Sequence, residues 1–180
     1  MACGNEWVAI GLGSNLGAPA ANLLAAVRCL TVRGLAAPCL SPFYLTAPEE
    51  CHPGTPDFLN AVVIGCWPGT PGSLQVACQA VEQELGRTAR HDSRAARTLD
   101  LDLLLFGTHE VRTPQLTIPH PRLASRLFVL VPLAELVPDW DVPGTGCTVA
   151  QLLAAGRRQR PAPPEPRQPE DTARRLGTLF

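Results

Sequence analysis

The order of six apolar segments constrains the fold of this chain more than any other feature of its sequence. Four have the length and composition of strands, and two repeat apolar residues with the 3.6-residue period of a helix. Strands are predicted at 7–12, 41–46, 58–67 and 98–106, and helices at 19–33 and 73–85. This order is typical of the split βαβ arrangement. The sequence therefore predicts an α+β sandwich with a ferredoxin-like core, in which helices pack on the faces of an antiparallel sheet and strand 98–106 is central.

Turn and capping residues set the limits of these segments. Gly34 and Gly86 stand where helix C-termini favour glycine, and Ser73 is placed to cap the second helix. Two long loops and two further helices are predicted at 47–56, 87–96, 125–136 and 148–155. Loops of this length are often functional, so the two loops are candidate walls of a binding site.

The length and charge of the chain narrow its functional class. Its 180 residues fit one domain at 1–156, followed by a tail at 157–180 that is rich in Pro and Arg and lacks apolar periodicity. The 15 basic and 16 acidic residues give a net charge of -1, which provides no overall basic field for nucleic acid. Every basic residue is Arg, and a P-loop, which needs Lys, is therefore excluded.

Cysteine spacing and the amino terminus indicate the compartment. The 7 cysteines include no CxxC or CxH pair, so neither a zinc site nor a disulfide framework is predicted. Most lie in apolar stretches, where free Cys is a small core residue. The sequence has no leader-like amino terminus and no apolar run near the ~20 residues that span a bilayer. We expect a cytoplasmic protein that does not enter a membrane.

Two aspartates in the predicted strand 98–106 carry the strongest functional signal. Because side chains alternate along a strand, Asp100 and Asp102 face one side, with Cα atoms roughly 6.6–7 Å apart. The other side is predicted to carry Leu99, Leu101, Leu103 and Leu105. Paired carboxylates repel, and Mg²⁺ relieves that repulsion while favouring one or two carboxylates plus phosphates. The pair predicts a magnesium site, and the alternative is an acidic outer face of a half-exposed strand.

Arginines flank this strand in the sequence. They are Arg87, Arg90, Arg94 and Arg97 before the aspartates, and Arg126 after them. Guanidinium groups bind phosphate oxygens bidentately and stay charged, so this arrangement fits a nucleotide complexed with Mg²⁺. The alternative is a solvated basic loop that balances acidic residues elsewhere.

Two further motifs are candidates for phosphate binding. His120 lies between Pro119 and Pro121, which fix its backbone, so it is either a phosphate or ribose contact or a structural histidine. The glycine-rich segment 11–17 follows a strand and precedes a helix, but Leu16 occupies the position of the third glycine of the dinucleotide fingerprint. We interpret this segment as a tight turn.

Together these motifs resemble a known family over about residues 7–139. The matching residues are Gly13-Ser14-Asn15, Tyr44-Leu45-Thr46, Asp57-Phe58-Leu59-Asn60, Glu82, Gly86-Arg87, Arg97-Thr98-Leu99-Asp100-Leu101-Asp102, Pro119-His120 and Arg126-Leu127-Phe128. Their order and spacing are similar to those of the 6-hydroxymethyl-7,8-dihydropterin pyrophosphokinases of folate biosynthesis. The resemblance implies a ferredoxin-like fold, and a reaction in which ATP and hydroxymethyl-dihydropterin give AMP and the pterin diphosphate.

The resemblance also implies roles on the ATP side. Asp100 and Asp102 would be ligands of two Mg²⁺ ions that bridge the ATP phosphates and the substrate hydroxyl. Catalytic contacts with the phosphates are implied for Arg87, Arg97, His120 and Arg126. The remaining nucleotide-pocket positions are Gln79, Glu82, Leu103 and Thr117.

The pterin side is assigned in the same way. Phe58 and Phe128 resemble the two rings that sandwich the flat pterin, and Asn60 with the Thr46 backbone would contact its polar edge. Asp100 is expected to reach this substrate as well. The implied partners are the two small molecules, without nucleic acid or membrane, and we expect a monomer.

The loop before the aspartates departs from the family pattern. Ala95-Ala96 stand in place of Gly-Pro, Arg94 replaces an aromatic residue, and Gln115 and Pro121 replace other nucleotide contacts. These departures motivate a second hypothesis, a catalytically degraded binder of ATP or pterin. A third is an interaction module whose proline-rich segment 161–169 is a polyproline ligand.

Overall fold

The computed structural model describes residues 5–48, 51–86 and 95–159. Its strands are β1 (Glu6–Ser14), β2 (Ala36–Leu40), β3 (Tyr44–Thr46), β4 (Phe58–Trp67), β5 (Asp100–Phe106), β6 (Val111–Arg112), β7 (Thr117–Ile118), β8 (Asp141–Val142) and β9 (Cys147–Thr148). Its helices are α1 (Pro19–Val32), α2 (Pro71–Glu84), α3 (Leu127–Leu136) and α4 (Val149–Gln159), with a short 3-10 turn at Leu123–Ser125. Among these described helices, none is long and apolar enough to cross a membrane.

An antiparallel sheet forms the centre of the molecule. Its strand order is β2-β4-β1-β5, and β3 also pairs with β4. β1 and β4 pair along their length, from Glu6 opposite Trp67 to Ser14 opposite Leu59. With α1 and α2 as the two crossovers, this is the ferredoxin-like topology, and the predicted α+β fold class is confirmed.

The position of β5 differs from the prediction, which placed this strand at the centre. Among the described strands of this sheet β5 pairs with β1 alone and lies at the edge. The central places belong to β1 and β4, because the two βαβ crossovers carry the chain to the outer positions of the sheet. The edge position leaves one side of β5 next to a second cavity, which becomes part of the candidate site.

Apolar side chains form a core on each face of the sheet. Under α1 and α2, Leu23 and Val81 pack with Ile10 of β1. Under α3 and α4, Leu130 packs with Val149. Full burial of each such side chain contributes about 1.5–3 kcal/mol, so both faces of the sheet are firmly covered.

A β-bulge in β5 changes which leucines share a face. Ile10 pairs with Leu103 and Ala9 pairs with Leu105, so Leu104 is the extra residue. Leu103 lies in the core under α1 and α2, whereas Leu104 and Leu105 both lie in the core under α3 and α4. The prediction that Leu103 and Leu105 share one face was therefore wrong, because strict alternation ends at the bulge.

The predicted cap of α2 and the predicted strands between residues 36 and 46 also need correction. Thr70, and not Ser73, caps α2, since its Oγ1 accepts a hydrogen bond of 3.2 Å from the Ser73 backbone N–H. Strand β2 was not predicted because its alanines and proline lack strand composition, and Ala37 has a φ of 48°. The predicted strand 41–46 begins only at Tyr44.

The last helix extends further than its apolar pattern predicts. α4 runs to Gln159, beyond the predicted end at 155 and across the predicted domain boundary at 156. Arg157 and Arg158 occupy its last turn, where cations interact favourably with the helix dipole. The rest of the predicted tail lies outside the described residues.

Candidate active site

Two cavities meet at the paired aspartates of β5. The larger, of about 550 Å³, is lined by residues from β1, β3, β4 and α3 as well as by Asp100 and Asp102. The smaller, of about 340 Å³, lies between α2, the outer side of β5 and the segment 113–117, and the same two aspartates line it. The carboxylates therefore stand where molecules in the two cavities would approach each other.

Glycines in β1 make room beside the carboxylates. Gly13 lies opposite Asp100 and Gly11 lies opposite Asp102 in the sheet register. A Cβ atom added at Gly13 would stand 3.3 Å from Asn60 Oδ1 and 3.8 Å from the Phe58 ring. Sequence reasoning assigned these glycines to a turn, and the structure places them on the floor of the larger cavity.

Each aspartate is paired with one of the predicted arginines. Arg97 Nη1 lies 2.9 Å from Asp100 Oδ2, and Arg126 Nη1 lies 3.3 Å from Asp102 Oδ2. Both arginine side chains are 16% exposed. Two largely buried guanidinium groups beside two carboxylates balance the local charge and leave N–H donors close to the carboxylates.

The same arginines stack on the two predicted aromatic residues. Arg97 Cζ lies 5.8 Å from the centre of the Phe58 ring, and Arg126 Cζ lies 5.2 Å from that of Phe128. Both rings line the larger cavity. The cation–π contacts connect the aromatic walls to the charged residues at the junction of the cavities.

Polar groups of the larger cavity are held by the sheet. Asn60 is 7% exposed, and its Nδ2 donates a hydrogen bond of 2.7 Å to Thr46 Oγ1 on the neighbouring strand. Tyr44 begins the same strand and donates from its hydroxyl to Glu135 on α3. The predicted pterin residues Thr46, Phe58, Asn60 and Phe128 thus lie around one cavity.

His120 lies beside Asp102 in the smaller cavity. Its Nε2 is 3.9 Å from Asp102 Oδ2, and its Nδ1 accepts a hydrogen bond of 3.2 Å from the Arg122 backbone N–H. Burial lowers the pKa of His120, Arg126 and Arg122 lower it further, and Asp102 opposes them. A neutral imidazole with Nδ1 as acceptor carries its proton on Nε2, which is the atom facing the carboxylate.

The other predicted nucleotide residues are in the smaller cavity with differing roles. Glu82 is buried, and its Oε1 accepts a hydrogen bond of 2.7 Å from the Leu101 backbone N–H. The Leu103 side chain belongs to the core, although the residue also lines the cavity. Gln79 and Thr117 line the same cavity. Through its hydrogen bond from the Leu101 N–H, Glu82 also holds the edge strand β5 in place.

Some residues of the site were not predicted, and some predicted residues cannot be placed. Arg87, Arg90 and Arg94 lie outside the described residues. Gln75 and Cys78 on α2 line the smaller cavity, and burial, followed by Glu82 and Asp102, raises the pKa of Cys78 to about 12. Nothing in their sequence context distinguishes these two from ordinary residues of an amphipathic helix.

The site combines a carboxylate pair, two arginines and two cavities that meet at the carboxylates. This combination is typical of one class of protein, the enzymes of phosphoryl transfer. Comparison with known proteins identifies the family. The family described as 7,8-dihydro-6-hydroxymethylpterin-pyrophosphokinase (HPPK) matches residues 9–138. The chain belongs to this family. Its members are ATP-dependent pyrophosphokinases, so the predicted activity in folate synthesis is confirmed at the level of the family.

Individual relatives agree with this assignment. The 2-amino-4-hydroxy-6-hydroxymethyldihydropteridine pyrophosphokinase of Synechocystis sp. is 39% identical over 145 residues, which are 80% of this chain and 73% of the relative. The Pseudomonas aeruginosa protein of the same name is 40% identical over 153 residues, 82% of this chain and 90% of the relative. A Plasmodium falciparum HPPK-DHPS crystal structure has a TM-score of 0.68 at 15% identity, covering 84% of this chain and 45% of that chain, and supports the fold alone.

Proposed function

We propose that the chain transfers the pyrophosphoryl group of ATP to the hydroxymethyl oxygen of the dihydropterin at the junction of the two cavities. The observation that carries the proposal is that Asp100 and Asp102 line both cavities. The substrate hydroxyl oxygen attacks the β-phosphorus and its proton is released to solvent. The bond from that phosphorus to the α-phosphate oxygen breaks, and AMP leaves. In-line transfer needs the attacking oxygen and the leaving AMP oxygen on opposite sides of the β-phosphorus, and two cavities that meet at one carboxylate pair support this geometry.

The larger cavity is proposed to bind the pterin. Phe58 and Phe128 supply two aromatic faces for a flat heterocycle, and the amide of Asn60 with the backbone at Thr46 supplies its polar edge. The hydroxymethyl group would then point toward Asp100. The smaller cavity is proposed to bind ATP, with Gln79, Leu103 and Thr117 around the nucleoside.

The donor set at the junction fits magnesium. Groups of three or more His, Cys, Asp or Glu side chains able to hold a metal are not found among residues 5–48, 51–86 and 95–159. Two carboxylates without further protein ligands match Mg²⁺, which keeps waters and substrate phosphates in its shell. We propose that Asp100 and Asp102 hold two such ions, which when bound would neutralise phosphate charge and lower the pKa of the hydroxymethyl oxygen.

The arginines and the histidine are proposed to hold the phosphates. Arg97 and Arg126 already stand beside the carboxylates, and their planar N–H groups would grip the phosphate oxygens as charge shifts toward AMP. Neutral His120 would donate from Nε2. Arg87 is proposed to act with them, by its match to the family motif. We further propose that the protein acts as a monomer in the cytoplasm.

Of the two alternative hypotheses, degradation finds no support. Asp100, Asp102, Arg97 and Arg126 are all present and are brought together, although Ala95-Ala96 replace the family's Gly-Pro. The interaction-module hypothesis concerns segment 161–169, which lies outside the described residues.

The products of the reaction test the proposal. The purified chain with ATP, Mg²⁺ and reduced hydroxymethyl-pterin is expected to form AMP and pterin diphosphate in equal amounts, separated by anion-exchange chromatography. Formation of ADP in place of AMP, or no pterin-dependent turnover, would contradict it. ATP with Mg²⁺ but without pterin is the control for background hydrolysis.

A further inference from the structure

Asn15 connects two segments of the site, one that leads to Phe58 and one that carries Arg97, although it is not among the residues that line either cavity. We propose that Asn15 is a positioning residue that fixes the phosphate-binding Arg97 relative to the pterin-stacking Phe58. This inference rests on the proposed function of these two residues. From the sequence, Asn15 was assigned to a tight turn and to the family motif Gly13-Ser14-Asn15, without a role of its own. Its role follows from contacts made across long sequence distances.

The first set of contacts fixes the backbone of Arg97. The Asn15 backbone N–H donates to the Arg97 carbonyl at 3.1 Å, and the Arg97 backbone N–H donates to Asn15 Oδ1 at 2.7 Å. The pair is reinforced one residue further on, where Asn22 Nδ2 donates to the Thr98 carbonyl at 3.1 Å. The backbone that carries the Arg97 side chain is therefore held by hydrogen bonds at the Arg97 N–H, the Arg97 carbonyl and the Thr98 carbonyl.

The second contact fixes the approach to Phe58. Asn15 Nδ2 donates a hydrogen bond of 3.1 Å to the carbonyl of Pro56, two residues before that ring. Exchanging the amide nitrogen and oxygen would set an N–H against the Arg97 N–H and an oxygen against the Pro56 carbonyl. The chemistry of the two partners thus requires an acceptor and a donor at once, and a carboxamide has both.

Burial makes these contacts costly to lose. Asn15 is 6% exposed, so water does not readily replace its partners. The two segments it joins meet again in the site, where Arg97 Cζ lies 5.8 Å from the Phe58 ring and Arg97 Nη1 lies 2.9 Å from Asp100 Oδ2. One buried side chain therefore sets the spacing between a ring of the pterin cavity and a cation at the carboxylate pair.

The substitution Asn15→Ala removes both side-chain contacts. The expected result is a rise of about tenfold in KM for the pterin and a fall in kcat of similar size, because misplacement of reacting groups slows transfer. Ser41→Ala is the matched control. Ser41 is fully buried, accepts a hydrogen bond from the Val62 N–H at 3.0 Å and donates one to the Pro42 carbonyl at 2.8 Å. Loss of its hydroxyl should lower the melting temperature without changing the pterin KM.

A double-mutant cycle separates positioning from a merely structural effect. If Asn15 acts on the pterin through Phe58, Asn15→Ala should raise the pterin KM in the parent chain but much less in a Phe58→Ala chain. Equal effects in both chains, or an unchanged KM in Asn15→Ala with normal AMP formation by the parent, would overturn the inference. Absence of AMP formation by the parent would instead contradict the proposed function.

A second variant keeps the test decisive if Asn15→Ala does not fold. Asn15→Asp has the same size and can still accept from the Arg97 N–H, but it cannot donate to the Pro56 carbonyl when ionised. Circular dichroism and thermal melting establish that it is folded. A raised pterin KM in folded Asn15→Asp supports the inference, and an unchanged pterin KM overturns it.

Discussion

The two cavities that meet at the aspartates are built from different kinds of structure. The larger cavity, which we propose as the pterin cavity, is walled by the central strands β1 and β4. Its polar residue Asn60 is buried and hydrogen-bonded across the sheet. The smaller cavity, which we propose as the nucleotide cavity, is formed by the edge strand β5, one face of α2 and the segment 113–117, where Gln115 is exposed. The central sheet therefore shapes the proposed pterin cavity, whereas the proposed nucleotide cavity depends on an edge strand and an exposed segment.

The carboxylate pair belongs to both cavities, so its loss should affect both substrates most strongly. Asp102→Asn keeps the shape of the side chain and removes its charge. We expect kcat to fall on the order of a thousandfold, as the electrostatic stabilisation at the junction is lost. Steady-state AMP formation measures this, and Asp141→Asn, an exposed carboxylate on β8, is the control. Retention of activity by Asp102→Asn would show that the centre lies elsewhere.

A methyl group on the floor of the pterin cavity should act on one substrate alone. The Cβ of Gly13→Ala would stand 3.3 Å from Asn60 Oδ1, closer than most real Cβ contacts. We expect the pterin KM to rise about tenfold, with little change for ATP, because neighbours packed in the sheet cannot move aside freely. Gly72→Ala is a matched control, since its Cβ would have only Thr70 Oγ1 within 4 Å, at 3.9 Å. Equal rises for both substrates would erase the distinction between the cavities.

The hydrogen bond between Tyr44 and Glu135 joins β3 to α3, two walls of the pterin cavity. Tyr44→Phe removes the hydroxyl donor and should raise the pterin KM about two- to tenfold, with the ATP KM unchanged. Glu135→Gln retains an acceptor and should lie between the parent and Tyr44→Phe. Isothermal titration with each substrate makes the measurement, and a selective loss of ATP binding would contradict the expectation.

The smallest effect is expected at the outer wall of the nucleotide cavity. Gln75 Nε2 on α2 donates to the Gln115 carbonyl at 2.6 Å and so holds the tip of the segment 113–117. Gln75→Ala should raise the ATP KM about twofold, because one hydrogen bond near solvent contributes little. Val76→Ala, the exposed neighbour on the same helix, serves as control. If Gln75→Ala raised the ATP KM more than Gly13→Ala raises the pterin KM, the expected difference between the two cavities would be contradicted.

The predictability of the molecule follows the same division. Strand β4 was predicted from its apolar run, and motif spacing singled out Asp100, Asp102, Phe58 and Phe128, which line one cavity. Apolar runs and motif spacing are local properties of the sequence. The edge position of β5 and the bulge at Leu104 depend on pairing between distant segments, which periodicity does not encode. The use of Glu82 to hold the Leu101 N–H was missed for the same reason. The positioning contacts of Asn15 were missed because its partners, Arg97 and Pro56, are distant in the sequence.

A crystal structure with Mn²⁺, the unreactive analogue α,β-methylene-ATP and the pterin substrate would test the central claim most directly. Anomalous scattering from manganese locates the metal independently of the model of the protein. The proposed arrangement predicts manganese at Asp100 and Asp102, the pterin ring between Phe58 and Phe128, and the nucleotide beside Gln79 and Thr117. Manganese bound away from these two carboxylates, or both substrates on the same side of them, would contradict it.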